Sequence, residues 1–162
     1  MNRYRKGIAF ASLLALSIAS GTAAAQSPLV GVWTIVSSDT IDASGKRSPT
    51  WGPNPRGTLI FAANGRYSVT LASASLPKFA SNNRMKGTAK ENEAVVHGAL
   101  SHFGKYTASD KAFTYQIETS TYPNWDGTTQ NRPYTLSGDQ LKYTTPAASG
   151  GGSAELVWRR VK

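Results

Sequence analysis

From position 30 onward the chain alternates apolar and polar residues with a period of two, punctuated by glycine, proline and asparagine. The stretch 66–72 shows the pattern most clearly: Tyr67, Val69 and Leu71 interleave with Arg66, Ser68 and Thr70. Such alternation predicts strands with one buried and one wet face. Eight runs qualify: 30–38, 57–63, 66–72, 102–108, 112–120, 129–136, 140–145 and 153–161. Asn64-Gly65 joins the second and third as a hairpin, since both residues tolerate positive φ. The period changes once. Thr88 and Glu91 have the spacing of a capping box, which predicts a short helix over about 89–100, between the third and fourth strands. Breakers Pro123, Asn124 and Gly127 make 122–127 a loop, and the Pro- and Gly-rich 146–152 is another.

Connection lengths alternate too. The second–third, fourth–fifth and sixth–seventh strands are joined by tight turns, and the remaining connections are long. In an up-and-down meander this places every tight turn at one end and every long loop at the other. The predicted fold class is all-β: eight antiparallel strands closed into a small barrel, with one short helix and the long loops around one mouth.

The same topology brings the chain ends together at the short-turn end. Gly31 and Trp33 open the first strand, and Leu156, Trp158 and Arg160 share one face of the last. Arg160 is therefore expected over the indole of Trp33, closing that end. Arg159 is the alternative if a bulge shifts the parity.

Five stretches carry a resemblance: GVWTIVS, WGPNPRGTLIFAANGRYSV, FGKYT, ETSTYPNWDGTTQNR and ELVWRRV. In this order they resemble the bacterial and fungal lipocalin-like domain family, across nearly all of the chain beyond residue 25. The resemblance implies a lipocalin-like β-barrel with a small-molecule cavity, without implying one activity. It also draws attention to Glu118 and Ser120.

On the sixth strand Gln130 and Arg132 share a face with Tyr134 and Leu136, and so point inward. Their polar groups are candidates to hold a polar or anionic part of a ligand. Trp51, Tyr122 and Trp125 are candidates for aromatic walls, with Tyr67 and Tyr115 from inward strand faces and Arg56 from the first long loop. A site of this kind is apolar with a few polar groups. The bland alternatives are that Arg132 pairs with Glu118 or caps carbonyls, that Arg56 pairs at a loop base, and that the aromatics pack the loops. Strand periodicity places Phe113, Tyr115 and Ile117 inside and Glu118 outside. The family resemblance favours Glu118 and Ser120, and a bulge before Pro123 would reconcile the two.

The first 25 residues read as a signal peptide: Arg3, Arg5 and Lys6, an apolar run over 8–18, then Ala23-Ala24-Ala25 before Gln26. Eleven apolar residues are too few for a spanning helix. The expected mature domain is 26–162, periplasmic or secreted, with no stable membrane insertion. With the leader removed, 15 basic and nine acidic residues leave a charge of +6. The basic residues are scattered, without the clustered stripe of a nucleic-acid binder. The chain has no cysteine, so no thiolate serves as nucleophile or metal ligand. His97 and His102 lack the spacing of a helical zinc pair. No metal site and no cofactor is expected.

The reading is an exported, monomeric barrel that binds a small apolar or amphipathic molecule. One alternative is an isomerase or cyclase using Glu118, Arg132 or a tyrosine in the same cavity. The other is an envelope interaction protein using its basic exterior.

Overall fold

A computed structural model describes residues 27–162; the expected leader lies outside the described residues. Nine strands form one sheet: β1 (Gly31–Ile41), β2 (Arg47–Pro49), β3 (Arg56–Phe61), β4 (Arg66–Ala72), β5 (Ala99–Ala108), β6 (Ala112–Ser120), β7 (Thr129–Ser137), β8 (Gln140–Thr145) and β9 (Ser153–Arg160). Every neighbouring pair is antiparallel, and β1 pairs with β9 to close the sheet into an eight-stranded barrel. The helix α1 (Ala89–Gly98) stands between β4 and β5. Among the described residues, no helix is long and apolar enough to cross a membrane.

The ninth strand was not expected. β2 is three residues from the first long loop that pair with Asp39–Ile41 of β1. It projects beyond β3 along the same edge of β1, because β3 occupies only Gly31–Thr34. Its polar sequence, Arg-Ser-Pro, carries no alternation from which a strand could be read. It extends the wall on the mouth side and fixes where the next residues go.

The helix begins as expected. Thr88 Oγ1 accepts from the Glu91 amide at 3.2 Å, and Glu91 Oε2 accepts from the Thr88 amide at 2.7 Å. It ends two residues earlier than 100. Ala99 and Leu100 instead join β5, where Ala72 and Leu71 pair with them and satisfy their backbone groups. The Asn64-Gly65 turn also differs in detail. Only Gly65 adopts positive φ, while Asn64 Oδ1 accepts from the Arg66 amide at 3.1 Å.

The inward faces meet in one core. Trp33, Leu59, Phe61, Phe113, Tyr115, Leu141 and Trp158 are almost completely buried. Phe61 packs against Tyr106, Phe113 and Tyr115 with ring centroids 4.6, 5.2 and 6.2 Å apart. These aromatics fill the short-turn half of the barrel. The cavity that reaches into the barrel opens towards the long loops.

Candidate functional site

At the short-turn end the last strand returns beside the first, with Trp33 opposite Arg160. The Arg160 guanidinium lies 4.1 Å from the Trp33 ring centroid. Its Nη1 donates to the Val30 carbonyl at 2.7 Å and its Nη2 to the Pro28 carbonyl at 2.6 Å. The Trp33 indole donates to the Leu29 carbonyl at 2.9 Å. Gly31 makes room for this: its φ is +140°, and a Cβ there would stand 2.8 Å from Arg160 Nη1. The incoming chain is thereby pinned across the barrel floor, and Leu29 is fully buried beneath it. Arg159 faces outward and is exposed.

At the opposite end a cavity of about 70 Å³ enters the barrel. Its walls are mostly apolar: Trp51, Leu71, Leu100, Trp125, Ala148, Ala154 and Leu156, with Ser38, Thr40, Thr50 and Thr145 at intervals. Arg132 and Tyr143 belong to the same lining. Outside it lies a vestibule of about 460 Å³, which shares Thr40, Thr50, Trp51, Leu100, Ser149 and Gly150 and is bordered by Val96 and His97 of α1 and by Tyr122.

Local structure positions these groups. Beyond β2, the Thr50 amide donates to the Ser38 carbonyl at 2.9 Å, and the Thr50 and Thr40 hydroxyls are 2.9 Å apart. This pair holds Trp51 at the rim. Trp125 ends a short 3-10 turn (Pro123–Trp125). That turn is tied by Thr128 Oγ1 donating to the Trp125 carbonyl at 2.7 Å and by Asp126 Oδ1 accepting from the Ser120 amide at 2.6 Å. Tyr122 packs edge-on against Trp125 at 5.7 Å.

Arg132 is only 3% exposed. Its Nη1 donates to the Asn131 carbonyl at 3.0 Å, and its Nη2 donates to Gln130 Oε1. Gln130 is held in turn, since its Nε2 donates to Thr128 Oγ1 at 3.1 Å. The guanidinium carbon lies 5.8 Å from the Tyr115 ring centroid. Among the described residues no carboxylate forms an ion pair with it. Burial lowers its pKa from the ordinary value; an arginine so placed still stays protonated.

Beside it lies a polar pair. Tyr67 Oη and His102 Nδ1 share a hydrogen bond at 2.8 Å. Burial above all, and the charge of Arg132 second, push His102 down to about 3. Burial likewise pushes the Tyr67 and Tyr115 hydroxyls up and raises Tyr143 to about 12. The surroundings of Arg132 are therefore neutral at physiological pH. The Tyr115 hydroxyl has no hydrogen-bond partner among the described residues.

The structure separates the sequence candidates. Trp51, Trp125 and Arg132 line the cavity, and Tyr122 borders the vestibule. Gln130 orients Arg132, while Tyr67 and Tyr115 stack at 3.9 Å in the packing next to it. Two candidates are corrected. Glu118 stands on the outer surface, where Arg66 Nη1 and Nη2 donate to its two carboxylate oxygens at 2.6 and 2.9 Å. Arg56 is exposed one residue before inward-facing Gly57, so strand parity sends its side chain outside. The bulge that the sequence left open lies at Glu118, between the pairs Phe103–Thr119 and Gly104–Ile117. It turns Ser120 inward, buried, and leaves Glu118 out. His102 is buried on the inward face of β5 beside Tyr67, a position that histidine spacing does not report. The period-two face of β8, Leu141–Tyr143–Thr145, would have revealed Tyr143 and Thr145.

The profile of the lipocalin-like domain matches residues 30–161. Over 106 residues, 58% of this chain and 96% of the relative, the chain is 31% identical to the 4'-hydroxy-3'-methoxypropiophenone carrier protein of Aspergillus oryzae. Among solved structures, an uncharacterized protein from Bacteroides eggerthii superposes with a TM-score of 0.42 at 12% identity, covering 82% of this chain and 99% of that one. A variant of the fluorescent protein UnaG gives 0.38 at 17% identity, with 82% and 96% covered. With its closed eight-stranded barrel and a family profile that spans all of its strands, the chain belongs to the lipocalin-like domain family.

Proposed function

We propose that this protein is an exported, monomeric carrier that holds a small, largely apolar molecule at the long-loop end of its barrel. The observation that carries the reading is the cavity itself: mostly apolar walls, two tryptophans at its rim, and one charged side chain, Arg132, on its lining. The inner space of about 70 Å³ is about half of the ~150 Å³ that admits benzene. The vestibule of about 460 Å³ falls within the roughly 300–1,000 Å³ of ordinary ligand sites. A bound molecule therefore spans both, with its narrow end inside and its body between Trp51, Tyr122 and α1. The Aspergillus oryzae relative is a carrier of an aryl ketone, a ligand class that suits these dimensions. Holding fits the chemistry better than turnover. General acid–base catalysis works best with groups that titrate near neutrality, whereas His102 lies at about 3 and Tyr143 at about 12.

The test is titration of residues 26–162 with 4'-hydroxy-3'-methoxypropiophenone, read by tryptophan fluorescence. Saturable quenching at one molecule per chain is expected, reduced by Trp125→Phe. No quenching, together with a bare mass by native mass spectrometry after gentle purification, would sink the carrier reading. Export is read separately, by N-terminal sequencing of protein from the periplasm or medium. A start at Gln26 is expected, and a retained Met1 would refute removal of the leader.

A further inference from the structure

We infer that the molecule carried by this cavity bears an oxyanion, a carboxylate or an ionised phenol on an aromatic body, and that this group enters first to pair with Arg132. The inference rests on the carrier reading and narrows it to a ligand class.

The chain contains nine acidic residues, all within the described part. Asp39 and Glu155 face Arg47, and Glu155 also holds Lys142. Glu118 holds Arg66, and Asp139 holds Lys162 with Arg160 nearby. Asp42 and Asp126 accept from their own loops, Glu91 caps α1, and Glu93 lies next to His97. Asp110, on a tight turn, forms no ion pair. None of the nine is paired with Arg132, the single buried cation among the described residues.

An unpaired buried charge is costly, and a guanidinium has five N–H donors to satisfy. Arg132 directs two hydrogen bonds to protein, both to neutral acceptors. The titratable groups facing it are Tyr67 of β4, His102 of β5, Tyr115 of β6 and Tyr143 of β8, all neutral between pH 5 and 9. The elements β1 and β9 contribute Ser38, Ala154 and Leu156 to the same cavity and bring no charge. A neutral ligand would displace water from this space and leave the cation uncompensated. An oxyanion would supply the missing charge and accept charge-assisted hydrogen bonds in the geometry that guanidinium favours.

The experiment uses two probe pairs on residues 26–162. The first is 4-hydroxy-3-methoxybenzoate against its isosteric carboxamide, at pH 7. The second is 4'-hydroxy-3'-methoxypropiophenone against its 4'-methyl ether, across pH 5 to 9, with His97→Gln as a control for the exposed vestibule histidine. If the carboxylate is the bound group, it binds about tenfold or more tighter than the amide. If the phenolate is bound, affinity for the phenol rises about tenfold per pH unit and levels above the phenol's own pKa, while the ether shows no such rise. Either result supports the inference and tells the two sources apart. Arg132→Gln should abolish both preferences, and Arg132→Lys should keep the sign of each. A second reading is thermal. Arg132→Met should leave the unliganded protein at least as stable as wild type while abolishing the ligand-induced rise in Tm. Equal affinity within both pairs with a flat pH profile overturns the inference and leaves the carrier reading standing. Failure of all four probes to bind overturns both.

Discussion

Arg160 and Arg132 are inward-facing guanidiniums at opposite ends of one barrel, and their surroundings differ in kind. Arg160 stacks on Trp33 and donates to two carbonyls of the incoming chain. Its loss removes a cation–π contact of about 0.5–2 kcal/mol and charged hydrogen bonds of about 1.5–3 kcal/mol each before solvent screening. Arg160→Ala is expected to lower the Tm by roughly 10 °C, as measured by calorimetry; an unchanged Tm would show that the barrel floor does not need it. Gly31→Ala should act on the same cluster. A Cβ there meets Arg160 Nη1, and the φ of +140° is one that glycine tolerates best. His102 carries a pH signature. Its folded pKa, about 3, lies below the ordinary 6.5. Between these values the unfolded chain binds a proton that the native state refuses, so its contribution is complete above pH 6.5 and is lost as pH falls. Stability should decline by about 1.4 kcal/mol per pH unit over that window. Urea unfolding of wild type and His102→Gln between pH 4.5 and 6.5 would expose this: the variant's slope should be shallower by that amount.

At the scale of elements, the β6 bulge decides which side chains enter the barrel. Gly104 sits opposite it, and a Cβ at Gly104 would lie 2.0 Å from the Gln116 carbonyl oxygen. That neighbour is backbone and cannot swing aside, so Gly104→Ala is expected to cost about 1–3 kcal/mol, read as a lower urea midpoint. Alternation along 112–118 was legible in the sequence, but the bulge was not. An extra residue in one strand depends on how the partner strand is registered, and the residues around Glu118 satisfy either parity. The helix behaves in the opposite way. Its cap was legible because Thr88 and Glu91 act locally, yet none of its residues is buried. Thr88→Ala should therefore remove about 1 kcal/mol of local stability. Hydrogen exchange should quicken at the α1 amides while the global Tm hardly moves; an equal loss of protection in β4 and β5 would mean that the helix is integral to the barrel.

For the whole molecule, the division into a filled half and an open half is the property that matters. Ala154 is 5% exposed and lines the inner cavity beside Leu156. Ala154→Leu should fill that space, abolish ligand quenching and leave the Tm at or above the wild-type value. Retained binding would mean that the vestibule alone holds the ligand. The sequence by itself determined the eight barrel strands, the ends at which long and short connections gather, the inward face of β7 and the meeting of Trp33 with the last strand. Those follow from side-chain periodicity and connection length, which are local properties. Tertiary structure alone decided between the two readings of Glu118, in favour of the outer surface, and decided that Arg56 stands outside, that β2 props Trp51 at the rim, and that Arg132 is buried without a carboxylate. Each of these depends on strand register and on which groups fail to meet across the barrel, and a chain read in one dimension carries neither.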